Sequence, residues 1–210
     1  MTTEKDLRAS LSMTTVSGRV VSVVDPRPED IDLGDIAHAL SMQCRYAGHI
    51  RQRWSVASHS IACMLEAEQR GMSIEIQRAC LMHDAAEAYV GDLIWPVKAA
   101  VREGASHGMF DRLEARFAIA IALRFGLPIG FDGLPEVHEI DQAVCAREML
   151  DLRTMPVGWK PHVEPADPRM LKVAHGSEER IRALFLDYTG MVGIRPVSSA
   201  PADDARRGEA

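Results

Sequence analysis

Apolar residues recur at helical spacing through most of the chain, and the first departure from that period is near the start. Residues 15–24 (TVSGRVVSVV) place β-branched side chains around a Ser-Gly step, the pattern of a short hairpin, and the DPRP that follows ends it. Past Asp30 the period becomes helical, with Ile36, Ala39, Leu40 and Gln43 on one face, Asp35 as the N-cap and an end near Gly48. A second helix is predicted over 56–70, and a third from Ser73 to the stop at Gly91, carrying Ile76, Ala79, Cys80 and His83. Helix four spans 106–125 and closes at Gly126-Leu-Pro128, and helix five runs from Pro135 to Leu152. After a Pro/Gly-rich stretch, Ser177 caps a last amphipathic helix with Glu178 and Glu179 in its first turn.

This succession predicts an all-α bundle of five to six main helices with a short N-terminal β-hairpin. The polar residues 1–13 and the Pro/Ala/Ser-rich, charged tail 196–210 are expected to fray, leaving one domain over 14–195.

Composition narrows the class. With 47% apolar and 26% charged residues the chain has material for a core, which excludes disorder as its overall state. Charges or histidines interrupt every apolar stretch before the ~18 residues of a membrane span, and the start (MTTEKDLRAS) lacks the apolar core of a leader. A soluble cytoplasmic protein without a membrane partner is expected. The net charge of −6, with no Lys/Arg cluster, argues against duplex nucleic acid as a partner, while small anionic ligands remain open. Cys44, Cys63, Cys80 and Cys145 form no C-x-x-C pair and read as reduced thiols, mostly in the core.

One segment carries concentrated chemistry. ACLMHDAAEAYVG places His83, Asp84 and Glu87 on an otherwise apolar helix, with Glu87 one turn beyond His83. Burying an imidazole with two carboxylates is costly unless they are paired or hold a metal. His59 opens a helix whose later turns are apolar, and Asp141 lies on the face defined by Val137, Val144, Cys145 and Glu148. Two imidazoles and two carboxylates make a mixed N/O set suited to one divalent transition metal, Mn²⁺, Co²⁺, Fe²⁺ or Zn²⁺.

The order His59, His83-Asp84, Asp141 on an all-α chain resembles the HD-domain metal-dependent phosphohydrolases. Within that family, HDAAEAYVGDLIWPVK (83–98) is similar to the HD-x-x-E-x-x-x-G-D-L-x-x-P-V-K block of the bacterial 5'-deoxynucleotidases, and SVASHS resembles their first-histidine helix. The resemblance covers about 35–150. It implies His59, His83, Asp84 and Asp141 as metal ligands, Glu87 as the acid/base that handles the attacking water, and Asp92 as the group that holds the sugar 3'-hydroxyl and excludes a 2'-hydroxyl. The family's Arg-Trp pair, which orients phosphate and stacks the base, is matched by Arg45-Tyr46, with Tyr in place of Trp. Trp95 falls in the substrate-contacting stretch.

The substrate so implied is a 2'-deoxynucleoside 5'-monophosphate, cleaved to deoxynucleoside and phosphate. The alternative is a dNTP triphosphohydrolase, and the relatives' habit implies a homo-oligomer. A di-iron oxygenase on the same scaffold would need His107 and His138 as added ligands. A non-catalytic nucleotide-binding module would have no need of Glu87. His38 and His49 read as surface or helix-end histidines, and Lys98 and Arg102 as either further phosphate contacts or a solvated helix face.

Overall fold

Five of the helices start where the sequence supplies a side-chain acceptor for the first free N–H groups. Asp32, Ser55, Ser73, Asp167 and Ser177 all sit in extended backbone and accept from N–H groups two or three residues on. Such caps contribute roughly 1 kcal/mol apiece. Pro135 and Pro168 occupy first-turn positions, where a missing N–H costs nothing.

The computed structural model describes residues 10–104 and 108–197. It is 61% helix and 4% strand, the all-α class expected. A two-stranded antiparallel ribbon comes first: β1 (Ser12–Thr14) pairs with β2 (Val20–Ser22), with Met13 opposite Val21. Helices follow as α1 (Leu33–Met42), α2 (Val56–Gln69), α3 (Ile74–Met82), α4 (Glu87–Val90) and α5 (Trp95–Glu103). The chain continues through α6 (Met109–Phe125), α7 (Pro135–Leu152), α8 (Pro168–Val173) and α9 (Glu178–Met191).

Several expectations are corrected. The cap of α1 is Asp32, whose extended backbone (φ −125°, ψ 132°) suits that role, while Asp35 already lies in the first turn. Asp35 is buried and accepts from Thr15 Oγ1 at 2.6 Å and from Ser17 N and Oγ at 2.9 and 2.7 Å, which pins the hairpin loop onto α1. That helix ends at Met42, and residues 45–48 form a separate 3₁₀ turn. The predicted helix from Ser73 to Gly91 is interrupted after Met82, where Ala85 N and Glu87 N bond the carbonyls three residues back, of Met82 and Asp84. Helices α5 and α8 are additions, and Ser12 and Met13 belong to β1 instead of a frayed start. Residues 1–9, 105–107 and 198–210, which include the expected start of helix four, His107 and most of both terminal segments, lie outside the described residues.

The organising element is α2, which packs against α1, α3, α7, α8 and α9. Every residue from Val56 to Met64 is buried, including Ser58, His59 and Ser60. A helix apolar nearly all round belongs inside, and the polar exceptions on it need partners. Beside it, Tyr89 of α4 stacks on Phe117 of α6 at 4.6 Å between ring centres. Gly91 ends α4 at φ 85°, ψ 153°, a conformation open to glycine alone, and so turns Asp92 back toward α1. Among the described residues, no helix is long and apolar enough to cross a membrane.

Phe117 is completely buried in this core. Phe117→Ala should lower unfolding free energy by ~3–5 kcal/mol in denaturant titrations, the usual cost of removing a buried aromatic ring. A loss under ~1 kcal/mol would contradict the packing described.

Candidate metal centre

The 3₁₀-type break after α3 governs the site. In a regular helix adjacent side chains diverge by about 100°. Across that divergence the two side chains still meet, with His83 Nε2 and Asp84 Oδ1 3.2 Å apart. From α2, His59 Nε2 reaches Asp141 Oδ1 of α7 at 2.9 Å and Asp84 Oδ2 at 3.7 Å. His83 Nε2 stands 3.9 Å from the same Asp141 oxygen. His59, His83 and Asp141 thus meet from α2, the turn after α3 and α7, with Asp84 alongside.

Both imidazoles are locked by their other nitrogen. His59 Nδ1 lies 2.8 Å from Glu148 Oε1, and His83 Nδ1 lies 2.8 Å from the Cys80 carbonyl oxygen. With each Nδ1 beside an acceptor, loss of the Nε2 proton would leave a lone pair facing the cluster, the tautomer a metal-binding histidine needs. His83 Nε2 is buried and has no hydrogen-bond partner, so the site holds a donor atom that the protein itself does not satisfy. Cys63, one turn beyond His59, brings its Sγ to 3.4 Å from His59 Nε2. One donor atom each from His59, Cys63, His83 and Asp141 lies within 4.8 Å of the others, a group that could hold a metal ion.

The electrostatics agree with that chemistry. Burial works against an imidazolium at both histidines, yet nearby anionic groups outweigh it and hold both pKa values above the ordinary histidine range. Asp84 and Asp141 are pushed below the ordinary carboxylate range, since the histidines and Arg45 more than offset their burial. Glu87 moves the other way: burial, then the charges of Asp84 and Asp92, raise it well above that range. Its Oε2 is buried without a partner.

A cavity of about 490 Å³ opens beside this cluster, within the usual size range of small-molecule pockets. Arg45, Tyr46 and His49 line it from the 3₁₀ turn and its end, and Asp92 to Pro96 with Lys98 line it from the segment after α4. Asp84, Glu87, Asp141, Cys145, Met149 and Arg153 complete it. Arg45 is held on all three guanidinium nitrogens: Nε to Glu148 Oε2 at 3.2 Å, Nη1 to Asp84 Oδ2 at 3.4 Å and Nη2 to Cys145 Sγ at 3.2 Å. Tyr46 and Ala47 are left-handed (φ 57° and 51°), a conformation that costs roughly 1–2 kcal/mol per residue and recurs at binding sites. The Arg153 guanidinium carbon sits 4.8 Å from the centre of the Tyr46 ring, on the side chain to which base stacking was assigned. Trp95 is 68% exposed, with Arg102 over its ring.

Other candidates lie elsewhere. His138 is exposed and bonds Gln142 one turn on, away from the cluster. Lys98 and Arg102 are paired with Glu114 and Asp111 of α6. The four cysteines are free thiols, Cys63 and Cys80 fully buried.

Three residues escaped the sequence reading. Glu148 is completely buried and takes four donors, including Trp54 Nε1 at 2.7 Å and the Tyr46 hydroxyl at 2.6 Å. Its signal was a second acid on the apolar stripe of α7, two turns beyond Asp141. Trp54 is a buried indole, which by itself calls for an acceptor. Gln43, the polar residue at the C-cap of α1, donates Nε2 to the Glu87 carbonyl at 2.9 Å and accepts from Asp92 N at 3.2 Å.

No family model matches the chain. It is similar to uncharacterized protein RCAP_rcc00048 of Rhodobacter capsulatus, 38% identical over 117 residues that cover 54% of this chain and 57% of that protein. It is also similar to uncharacterized protein YfdR of Escherichia coli, 34% identical over 114 residues, covering 54% and 58%. The match therefore spans little more than half the length of either relative.

Two predictions follow from this geometry. His83→Ala and Asp84→Ala should each abolish stoichiometric divalent metal in elemental analysis, because each removes a converging donor; full occupancy in either would exclude it as a ligand. The raised histidines must also surrender protons to an incoming ion, so binding weakens as pH falls. Calorimetry in two buffers of different ionisation enthalpy should record net proton release near neutral pH, with affinity still rising as pH climbs beyond the ordinary histidine range. Affinity independent of pH would contradict the protonation described.

Proposed function

We propose that this protein is an HD-domain phosphohydrolase that cleaves 2'-deoxynucleoside 5'-monophosphates to deoxynucleoside and phosphate. The observation that carries the reading is the placement of Glu87. Glu87 lines the same cavity as Asp84 and Asp141 and carries a buried carboxylate oxygen without a partner, so a proton-handling group stands beside the donor cluster.

His59, His83, Asp84 and Asp141 would hold the ion, with Cys63 Sγ adjacent. When bound, a divalent ion there would polarise the phosphoryl group and acidify water. The protein's own groups do the rest. Arg45, fixed between Glu148 and Asp84, offers a cation to the phosphate. Glu87 handles the proton of the attacking water, the acid/base role that its place in the cavity beside Asp84 and Asp141 allows. Asp92 accepts from the sugar 3'-hydroxyl and leaves no partner for a 2'-hydroxyl. Arg153 supports the second reading, a dNTP triphosphohydrolase, because it lines the same cavity and offers a cation for further phosphates.

A panel of dNMPs, dNTPs, NMPs and NTPs with Mn²⁺, Co²⁺ or Mg²⁺, read by product mass, tests both. Orthophosphate from dNMPs is expected, triphosphate from dNTPs would favour the second reading, and turnover of none would refute both. Glu87→Gln should keep its metal while kcat falls ~10²–10⁴-fold; near-normal turnover would remove it from the chemistry. Deoxynucleotides should exceed ribonucleotides at least ~10-fold in kcat/KM, and Asp92→Ala should shrink that ratio. Equal values for dAMP and AMP in the unmodified protein would refute the role given to Asp92.

A further inference from the structure

Glu148 neither holds the ion nor meets the nucleotide in the reading above, yet it is completely buried between them. Its two oxygens divide their partners by destination. Oε1 accepts from Trp54 Nε1 at 2.7 Å and faces His59 Nδ1 at 2.8 Å, on the metal side. Oε2 accepts from the Tyr46 hydroxyl at 2.6 Å and Arg45 Nε at 3.2 Å, both from residues that line the cavity. We propose that Glu148 is a positioning residue that joins the cavity wall to the metal centre, so that the Tyr46 hydroxyl, itself no ligand, helps set how tightly His59 holds a divalent ion. The inference rests on His59 being a ligand.

The coupling is mechanical and electronic. A carboxylate on Nδ1–H fixes the ring plane and raises the basicity of Nε2. The carboxylate must in turn be held, because a buried lone pair without a donor pulls the group toward whatever donor remains. On Oε2 the shortest bond is the one from Tyr46, and the left-handed backbone at Tyr46 and Ala47 is what this contact has to hold in place. Without that hydroxyl, Oε2 keeps only the longer Arg45 contact, and the carboxylate turns toward it and off the line to His59. Removing the phenol oxygen at the cavity wall therefore loosens the histidine on the far side of Glu148.

The test uses Co²⁺ alone, with its dissociation constant from chelator competition and its visible absorption as a report on coordination geometry. Tyr46→Phe should weaken binding ~3-fold or more and alter the visible bands, with the helical circular dichroism unchanged. Glu148→Gln keeps the shape of the side chain but sets an amide NH₂ against existing donors, and should weaken binding ~10–100-fold. A Tyr46→Phe protein with normal affinity and normal bands would overturn the proposal, and that variant decides alone should Glu148→Gln fail to fold. A Tyr46→Phe effect on thermal stability without any change at cobalt would make Glu148 purely structural and overturn it equally. Failure of the unmodified protein to bind Co²⁺ would overturn the metal reading and this inference together. Cobalt binding that ignores Tyr46 would overturn this inference and leave the metal reading standing.

Discussion

Charge inside a helical core has to be balanced group by group, and in this protein the balance passes through the carboxylate of Glu148. An unpaired ion in its position would cost several kcal/mol. Its four donors come from three parts of the chain: the turn at 45–46, the residue before the α2 cap, and α2 itself. Two of the four, the Trp54 indole and the Tyr46 hydroxyl, are neutral donors, so stabilisation comes from hydrogen bonds as well as from ion pairing. Arg45 and His59 together hold the Glu148 pKa down against complete burial, at about 2. Helix α7 thereby contributes two acids of different character, Asp141 toward the donor cluster and Glu148 behind it.

The same carboxylate explains how the central helix accommodates a buried histidine. Ser58, His59 and Ser60 occupy α2 positions that packing alone would fill with apolar side chains. His59 is affordable there because one nitrogen faces Glu148 and the other faces Asp141. The tightened turn after α3 serves the same end: it leaves His83 Nδ1 on a carbonyl of its own helix and turns Nε2 inward.

The fold was readable wherever period and start signal agreed, as at Pro135 and Ser177. It was misread wherever a polar side chain had a tertiary duty. Asp35 looked like a cap because acids favour helix starts, but its oxygens belong to the hairpin loop. The helix through His83 looked continuous because no glycine or proline breaks 83–90; the interruption is a change of hydrogen-bond pattern that leaves no mark on residue type. The cluster at His59, His83, Asp84 and Asp141 was legible from the cost of burying such groups on apolar faces. Glu148 was visible as an acid on a buried stripe, but its partners are remote in sequence, and no periodicity links Tyr46 to it.

Gln43 has a consequence that reaches beyond its two hydrogen bonds. A four-residue helix such as α4 cannot hold its own shape, since a single turn gains too few internal bonds to offset the ordering of its backbone. One amide at the C-cap of α1 clasps this stretch, bonding the carbonyl of Glu87 at its start and the N–H of Asp92 just past its end. The spacing between those two acids is therefore dictated by the reach of a glutamine side chain, and α1 acts as a ruler against which that stretch of the cavity wall is measured.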